Sequence, residues 1–169
     1  MIIDLASVGV SSKPIEEKFS AAEIDLADEG RLIDDTTFSG EMFRDGKKVH
    51  IRGQLKADVE VACTRCLEPV VQHLDIAFDD VFTDSANETS QDETELQPEE
   101  MDESLVVGGK VDLAEAVREQ IILELPEAAL CREDCKGLCP KCGENRNLID
   151  CKCESDDFDP RWAALKNLN

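Results

Sequence analysis

Between Lys48 and Cys63 the chain reads KVHIRGQLKADVEVAC, and apolar and polar positions alternate almost without a break. Val49, Ile51, Leu55, Ala57, Val59, Val61 and Cys63 share one face, and Lys48, His50, Arg52, Gln54, Lys56, Asp58 and Glu60 share the other. A period of two with one apolar face predicts a strand buried on one side. Upstream, TTFSGEMFRDGK carries Asp45-Gly46, a two-residue hairpin signal. Downstream, VVQHLDIAFDDVF alternates less cleanly but is strand-like. Together these segments predict a three-stranded antiparallel meander in which CTRCLEP is the turn between the second and third strands. IIDLASV, near the start, offers a further edge strand.

The period changes after residue 111. Leu113, Val117, Ile121 and Leu125 recur every four residues, Asp112 and Glu115 form an Asp-x-x-Glu variant of the capping box, and Pro126 ends the run. This predicts one long helix lying on the apolar face of the sheet. Asp159-Pro160 is an N-cap and N1 pair for a short last helix with Trp162, Leu165 and Leu168 on its apolar stripe. Residues 84–104 hold nine acids and no base, with too little apolar content to offset the entropy of ordering, so they are expected to form a solvated insert. The expected class is therefore α+β. An antiparallel sheet packed by one helix spans residues 1–130, and a cysteine-rich segment with a terminal helix spans 131–169.

Charge narrows the function. The 169 residues carry 39 Asp and Glu against 18 Lys and Arg, a net of −21. Residues 131–169 have seven bases and eight acids, so nearly all the excess lies before Cys131. Wrapping a nucleic acid needs cations that displace counterions, and this surface favours basic partners instead. No basic stretch precedes the apolar IIDLASV, and no apolar run is long enough to span a bilayer, so no membrane is expected. A cytoplasmic location is the default expectation, and there thiols stay reduced. Four disulfides, which the even cysteine count would allow in a secreted chain, are disfavoured on that ground.

The chemistry lies in eight cysteines, spaced Cys63-x2-Cys66 and then Cys131-x3-Cys135-x3-Cys139-x2-Cys142-x8-Cys151-x-Cys153. Zinc takes four thiolates in a tetrahedron, and pairs two to four residues apart can reach one ion. LCPKCG has the form of a zinc knuckle. Eight thiols make two full sets of four. One grouping closes a local site from Cys139, Cys142, Cys151 and Cys153, at small loop entropy, and leaves Cys63, Cys66, Cys131 and Cys135 for a second. The other joins the two x2 knuckles, Cys63/Cys66 with Cys139/Cys142, as in a zinc ribbon.

Sharper readings fit less well. Cys135-x3-Cys139-x2-Cys142 has the iron–sulfur spacing of radical S-adenosylmethionine enzymes, but too little chain follows it for their barrel. Cys63-Thr-Arg-Cys66 runs into a strand rather than a helix N-terminus, which a redox pair needs to lower its thiol pKa. Neither His50 nor His73 begins the His-x-Glu of a zinc deaminase. All-cysteine sites fill every position on the metal, which points to structural zinc rather than catalysis.

The motifs CTRCLEP (63–69), DLAEAVREQIILELP (112–126), CREDCKGLCPKCGENRN (131–147), CKC (151–153) and DPRWAALKNL (159–168) occur in the order seen in the YceD family, which the chain resembles from the meander onward. The resemblance implies a non-enzymatic role in accumulation or maturation of the large-subunit ribosomal RNA. With the charge, it implies a basic ribosomal protein or a large-subunit assembly particle as partner, and RNA contact at most through Arg132, Lys136, Lys141, Arg146 and Lys152. A metal- or thiol-dependent enzyme acting on RNA is the alternative.

Overall fold

The structure, a computed structural model, describes residues 1–84 and 103–153. It contains strands β1 (Ile2–Asp4), β2 (Lys13–Phe19), β3 (Arg31–Leu32), β4 (Thr36–Asp45), β5 (Lys48–Ala62), β6 (Pro69–Asp84), β7 (Glu103–Val106) and β8 (Lys110–Asp112), and helix α1 (Leu113–Glu124). The chain divides into two compact units. A sheet unit comprises Met1–Val61 and Val70–Glu127, and a cysteine unit comprises Ala62–Pro69 and Ala128–Asn169. Among the described residues, no helix is long and apolar enough to cross a membrane.

In the sheet unit the strand order is β2-β4-β5-β6-β7, with β3 also paired to β5. β4, β5 and β6 are the meander expected from the alternation. β4 and β5 pair antiparallel from Thr37↔Lys56 to Asp45↔Lys48. β5 and β6 are neighbours joined by a short turn, which forces the antiparallel sense, because parallel strands need a crossover of a dozen or more residues. Val49, Ile51, Leu55, Ala57 and Val59 are buried, and Val61 packs partly buried against the same core. Phe38 and Phe78 meet edge to face with centroids 5.2 Å apart, a contact adding about 1 kcal/mol to the area they bury.

Several expectations are corrected in detail. The β4–β5 turn is centred on Gly46-Lys47, one residue later than the Asp45-Gly46 signal, because Asp45 still pairs with Lys48. Gly46, at φ +59°, supplies the positive φ that the first central position of such a turn demands. The first segment does form a strand, β1, but it pairs with β8 in a separate two-stranded sheet rather than along the meander.

The ends of the acidic insert are strand as well. Asp84 closes β6, and Glu103 and Ser104 open β7, which runs parallel to β6. Glu103 is held there by an ion pair with Lys48, which lowers its carboxyl pKa, and by the Thr83 hydroxyl at 2.9 Å. Residues 85–102 of the insert and the expected terminal helix at 159–168 lie outside the described residues.

α1 begins where expected. The Asp112 carboxylate caps it, accepting from the Ala114 N–H at 3.1 Å. Glu115 does not complete a capping box; its carboxylate takes the Arg118 guanidinium at 3.2 Å instead. The helix is 12 residues long, so about three turns rather than a long rod. Leu113, Ala116, Val117 and Ile121 are buried in the same apolar cluster as the inner face of the sheet, and Leu125 is partly buried against it.

Gly40 and Gly53 face each other across β4 and β5. A Cβ on Gly53 would run into the Ser39 carbonyl oxygen and come within 2.7 Å of the Gly40 Cα, so the strands close only because both side chains are absent. Gly53→Ala should therefore destabilise the sheet unit by about 3 kcal/mol or more, as overpacking against backbone does. Urea unfolding followed by far-ultraviolet circular dichroism measures it, and a change under about 1 kcal/mol would show that the strands can part at little cost.

Candidate metal centres

The turn after β5 and the loop at 139–144 have one local design. In the first, the Cys63 N–H donates to the Glu68 carbonyl at 2.8 Å, and the Leu67 N–H donates back to the Cys63 carbonyl at 2.9 Å. In the second, the Cys139 N–H donates to the Glu144 carbonyl at 2.8 Å, and the Gly143 N–H donates back to the Cys139 carbonyl at 2.9 Å. The residue after the second cysteine is left-handed in both, with φ +62° at Leu67 and +74° at Gly143. The sequences CTRCLE and CPKCGE share the same frame: Cys, any residue, a base, Cys, the left-handed residue, Glu. Both are knuckles that turn two thiols to one side.

Each knuckle meets a second pair of cysteines. Cys63, Cys66, Cys131 and Cys135 form one cage, and Cys139, Cys142, Cys151 and Cys153 form the other, with the sulfurs of each set all within 4.8 Å of one another. In the first cage Cys63 Sγ lies 3.9 Å from Cys135 Sγ, and Cys66 Sγ lies 3.6 Å from Cys131 Sγ. Four sulfurs around an ion with Zn–S of about 2.3 Å stand about 3.8 Å apart in a regular tetrahedron. A disulfide needs about 2.0 Å, and all eight cysteines are free thiols. The geometry thus gives the local and long-range tetrads, not the ribbon that would join the two knuckles.

The first cage is assembled by the chain just beyond α1. The Thr64 N–H and hydroxyl both donate to the Ala129 carbonyl, at 2.9 and 3.2 Å, and bring residues 129–131 to the knuckle. The Arg65 guanidinium donates to the Cys135 carbonyl at 2.9 Å, and the Arg65 carbonyl accepts from the Leu138 N–H at 2.9 Å. Gly137, at φ +72°, passes so close to the Arg65 carbonyl oxygen that a Cβ there would come within 2.9 Å of it. The second cage closes on a short hairpin, with Leu138 bridged to Asn145 and the Arg146 N–H donating to the Gly137 carbonyl at 3.0 Å.

The electrostatics of both cages ask for a cation. The Cys131 N–H, 3.4 Å from Cys63 Sγ, leads the influences that hold the Cys63 thiol down to about 6. The N–H groups of Cys142 and Lys141 hold Cys139 down to about 6. The Asn147 side-chain amide, 3.3 Å from Cys135 Sγ, lowers Cys135. Burial and the Cys66 thiol push Cys131 up to about 12, and the Cys142 thiol and burial push Cys153 up to about 12. In each cage some thiols ionise readily while others resist, through burial and the thiols crowded against them. A divalent ion removes that conflict and lets all four ionise. Soft thiolates in a tetrahedral set suit zinc or iron.

The histidines stand outside both sets. His50 stacks on Phe43 at 4.9 Å, and exposed His73 pairs with Asp58 at 2.7 Å. The five basic residues singled out in the sequence, Arg132, Lys136, Lys141, Arg146 and Lys152, are all exposed. Arg65, Asn145 and Asn147, which order the first cage, were not among the expected site residues. The signal for Arg65 was the recurring frame of the two knuckles, in which Lys141 holds the matching place.

The shared left-handed position gives a paired test. Leu67 is 64% exposed and held at a φ that costs an L side chain about 1 kcal/mol. Leu67→Gly should stabilise its cage by up to about 1 kcal/mol, and Gly143→Ala, which meets nothing within 4 Å, should weaken the other by about as much through φ alone. Metal release against urea measures both. Equal signs for the two changes would break the equivalence of the knuckles.

The family model described as large ribosomal RNA subunit accumulation protein YceD matches residues 51–169. An uncharacterized protein of Mycobacterium tuberculosis is 32% identical over 148 residues, covering 86% of this chain and 66% of the relative. The large ribosomal RNA subunit accumulation protein YCED homolog 1, chloroplastic, of Arabidopsis thaliana is 24% identical over 159 residues, covering 77% of this chain and 47% of the relative. The uncharacterized protein YlbN of Bacillus subtilis is 25% identical over 139 residues, covering 82% and 76%. The match thus spans just under two thirds of the mycobacterial relative and about half of the plant one. No solved structure matches the chain. The match of the YceD model across both knuckles and all eight cysteines places this chain in the YceD family.

Proposed function

We propose that this protein is a non-enzymatic factor supporting accumulation or maturation of the large-subunit ribosomal RNA, with its cysteine unit held by two structural zinc ions. The observation that carries the metal reading is the pair of separate four-thiol cages, each sized for a single ion. Iron–sulfur clusters spread their cysteines over several irons and need a wider cage. Cys63, Cys66, Cys131 and Cys135 would hold one zinc, and Cys139, Cys142, Cys151 and Cys153 the other. The ion supplies a fourfold cross-link, with no position left for substrate. The ribosomal RNA role rests on the family and on the printed names of its plant relatives.

The enzyme alternative gains little from the site. A reactive thiol must be both ionised and reachable. Cys63 and Cys139, held down to about 6, are buried, whereas the exposed Cys131 and Cys153 are pushed up to about 12. Among the described residues, Asp80 is the carboxyl pushed up, by burial and by Glu119 and Asp79, and the histidines lie elsewhere in the fold. The net charge of −21 favours a basic ribosomal protein or an assembly particle as partner over naked RNA. The five exposed bases of the cysteine unit are the place where RNA would be touched.

Elemental analysis of the purified chain should find about two zinc per chain and little iron, on the four-ligand rule. Cys63→Ser and Cys142→Ser should each release one zinc and leave the other, and the double variant should release both. If the two single variants lose the same ion, the tetrads are wrong.

The tagged chain should recover basic ribosomal proteins or a large-subunit particle, and the recovery of protein should survive nuclease treatment. Tight binding of naked large-subunit RNA at physiological salt, with no protein partner, would overturn the partner assignment.

A further inference from the structure

Asn147 belongs by sequence to one cage and by contact to the other. It lies in the eight-residue loop between Cys142 and Cys151, both of the second cage. Its side-chain amide donates to Cys135 Sγ of the first cage at 3.3 Å. Its side-chain oxygen accepts from the Lys136 N–H at 2.8 Å, next to that ligand. Asn145 holds it in this pose, since the Asn145 side-chain oxygen accepts from the Asn147 N–H at 3.0 Å and from its side-chain amide at 2.9 Å. The Asn145 amide in turn donates to the Glu68 carboxylate at 3.3 Å, on the first knuckle. One loop of the second cage therefore touches two of the segments that build the first.

We propose that the two cages fill cooperatively, and that Asn147 is the positioning residue that couples them. The proposal rests on the reading above that both cages take metal. An ion on Cys139, Cys142, Cys151 and Cys153 fixes both ends of the 143–150 loop. That ordering removes the entropy Asn147 must otherwise give up to reach Cys135. With the amide in place, the N–H group withdraws charge from the sulfur and fixes the direction of the thiolate. Outer contacts of this kind are commonly worth about 10–100-fold in metal affinity. Coupling is reciprocal, so an ion in the first cage favours the second by the same factor.

Cobalt(II) is the probe, because four thiolates give it a charge-transfer absorption. The full chain is stripped of metal and titrated with cobalt(II) against a competing chelator. Three forms are compared: the native chain, the chain with Cys142→Ser and Cys153→Ser (second cage disabled), and the chain with Cys66→Ser and Cys131→Ser (first cage disabled). The native two-ion affinity should exceed the product of the two single-cage affinities by about 10-fold or more. With Asn147→Ala that excess should fall to about one. In the loaded chain Asn147→Ala should also move the charge-transfer band to longer wavelength, because the sulfur regains electron density. It should leave the band unmoved when the first cage is already disabled.

Asn147→Asp keeps the acceptor for Lys136 and the shape of the side chain, so it guards against a folding defect. It should lose the coupling too. The proposal is overturned if the native affinity equals the product of the single cages, if the excess survives both substitutions, or if the band does not move. If neither cage gives the four-thiolate absorption, the metal reading itself falls, and the proposal with it.

Discussion

Among the described residues, the cysteine unit has no apolar core. Its buried residues, among those described, are Cys63, Cys66, Ala129, Cys135, Gly137 and Cys139. Four of the six are thiols of the two cages, and the other two are too small to contribute much burial. Among the described residues, the large buried apolar side chains gather in the sheet unit, around Phe38, Phe78, Ile51, Leu55 and Leu113. Apart from backbone hydrogen bonds and the side-chain ties of Thr64, Arg65, Asn145 and Asn147, the described part of the cysteine unit is left to be closed by whatever the sulfurs share. A segment of this size rarely holds itself by burial alone, and a structural metal is one of the few remedies. Without a shared cation, the groups that converge at its centre repel once ionised.

That constraint explains features that are costly by themselves. Leu67 is held left-handed because the carbonyls of Cys63 and Glu68 must both face inward on the knuckle. Gly137 is bare because the Arg65 carbonyl fills the space of a Cβ. Arg65 turns its guanidinium onto the Cys135 carbonyl, although it stands on an exposed turn in a chain rich in acids. Each device brings a cysteine-bearing segment to the right distance and leaves the thiols to be joined.

What was legible in the sequence follows the range of the forces. Alternation from Val49 to Val61 is a local signal and gave the central strand and its buried face. Cysteine spacing is nearly local and showed that the second cage could close on itself, but it left the grouping of both cages open, because spacing cannot tell which distant pair a knuckle meets. Thr64 on Ala129 decides that, a contact across 65 residues. β2 was hidden because its buried residues, Ile15 and Phe19, lie four apart among charges and read as a helical interval. β1 was expected as a strand, but its partner β8 has three residues, too few to show a period, and the two lie near opposite ends of the sheet unit's sequence. The Asn145–Asn147 pair carries no pattern at all, since a polar residue in a loop after a knuckle is the ordinary choice for a turn.

Charge then limits what the assembled unit can do. Its described residues carry six bases, Arg65, Arg132, Lys136, Lys141, Arg146 and Lys152, against five acids, Glu68, Glu133, Asp134, Glu144 and Asp150. Arg65 is already engaged within the first cage, and Arg132 faces Asp134 at 3.5 Å. A zinc ion with four thiolates carries a net charge of about −2, so filling both cages would make the unit negative overall. Metal loading under the proposed reading therefore opposes a broad phosphate grip, because it adds negative charge beside the very bases that would touch RNA. A cationic protein meets no such conflict: both the sheet unit and the loaded cysteine unit attract it at long range. The exposed bases are left to act singly, as local contacts whose reach is limited to about the 8 Å screening length of physiological salt.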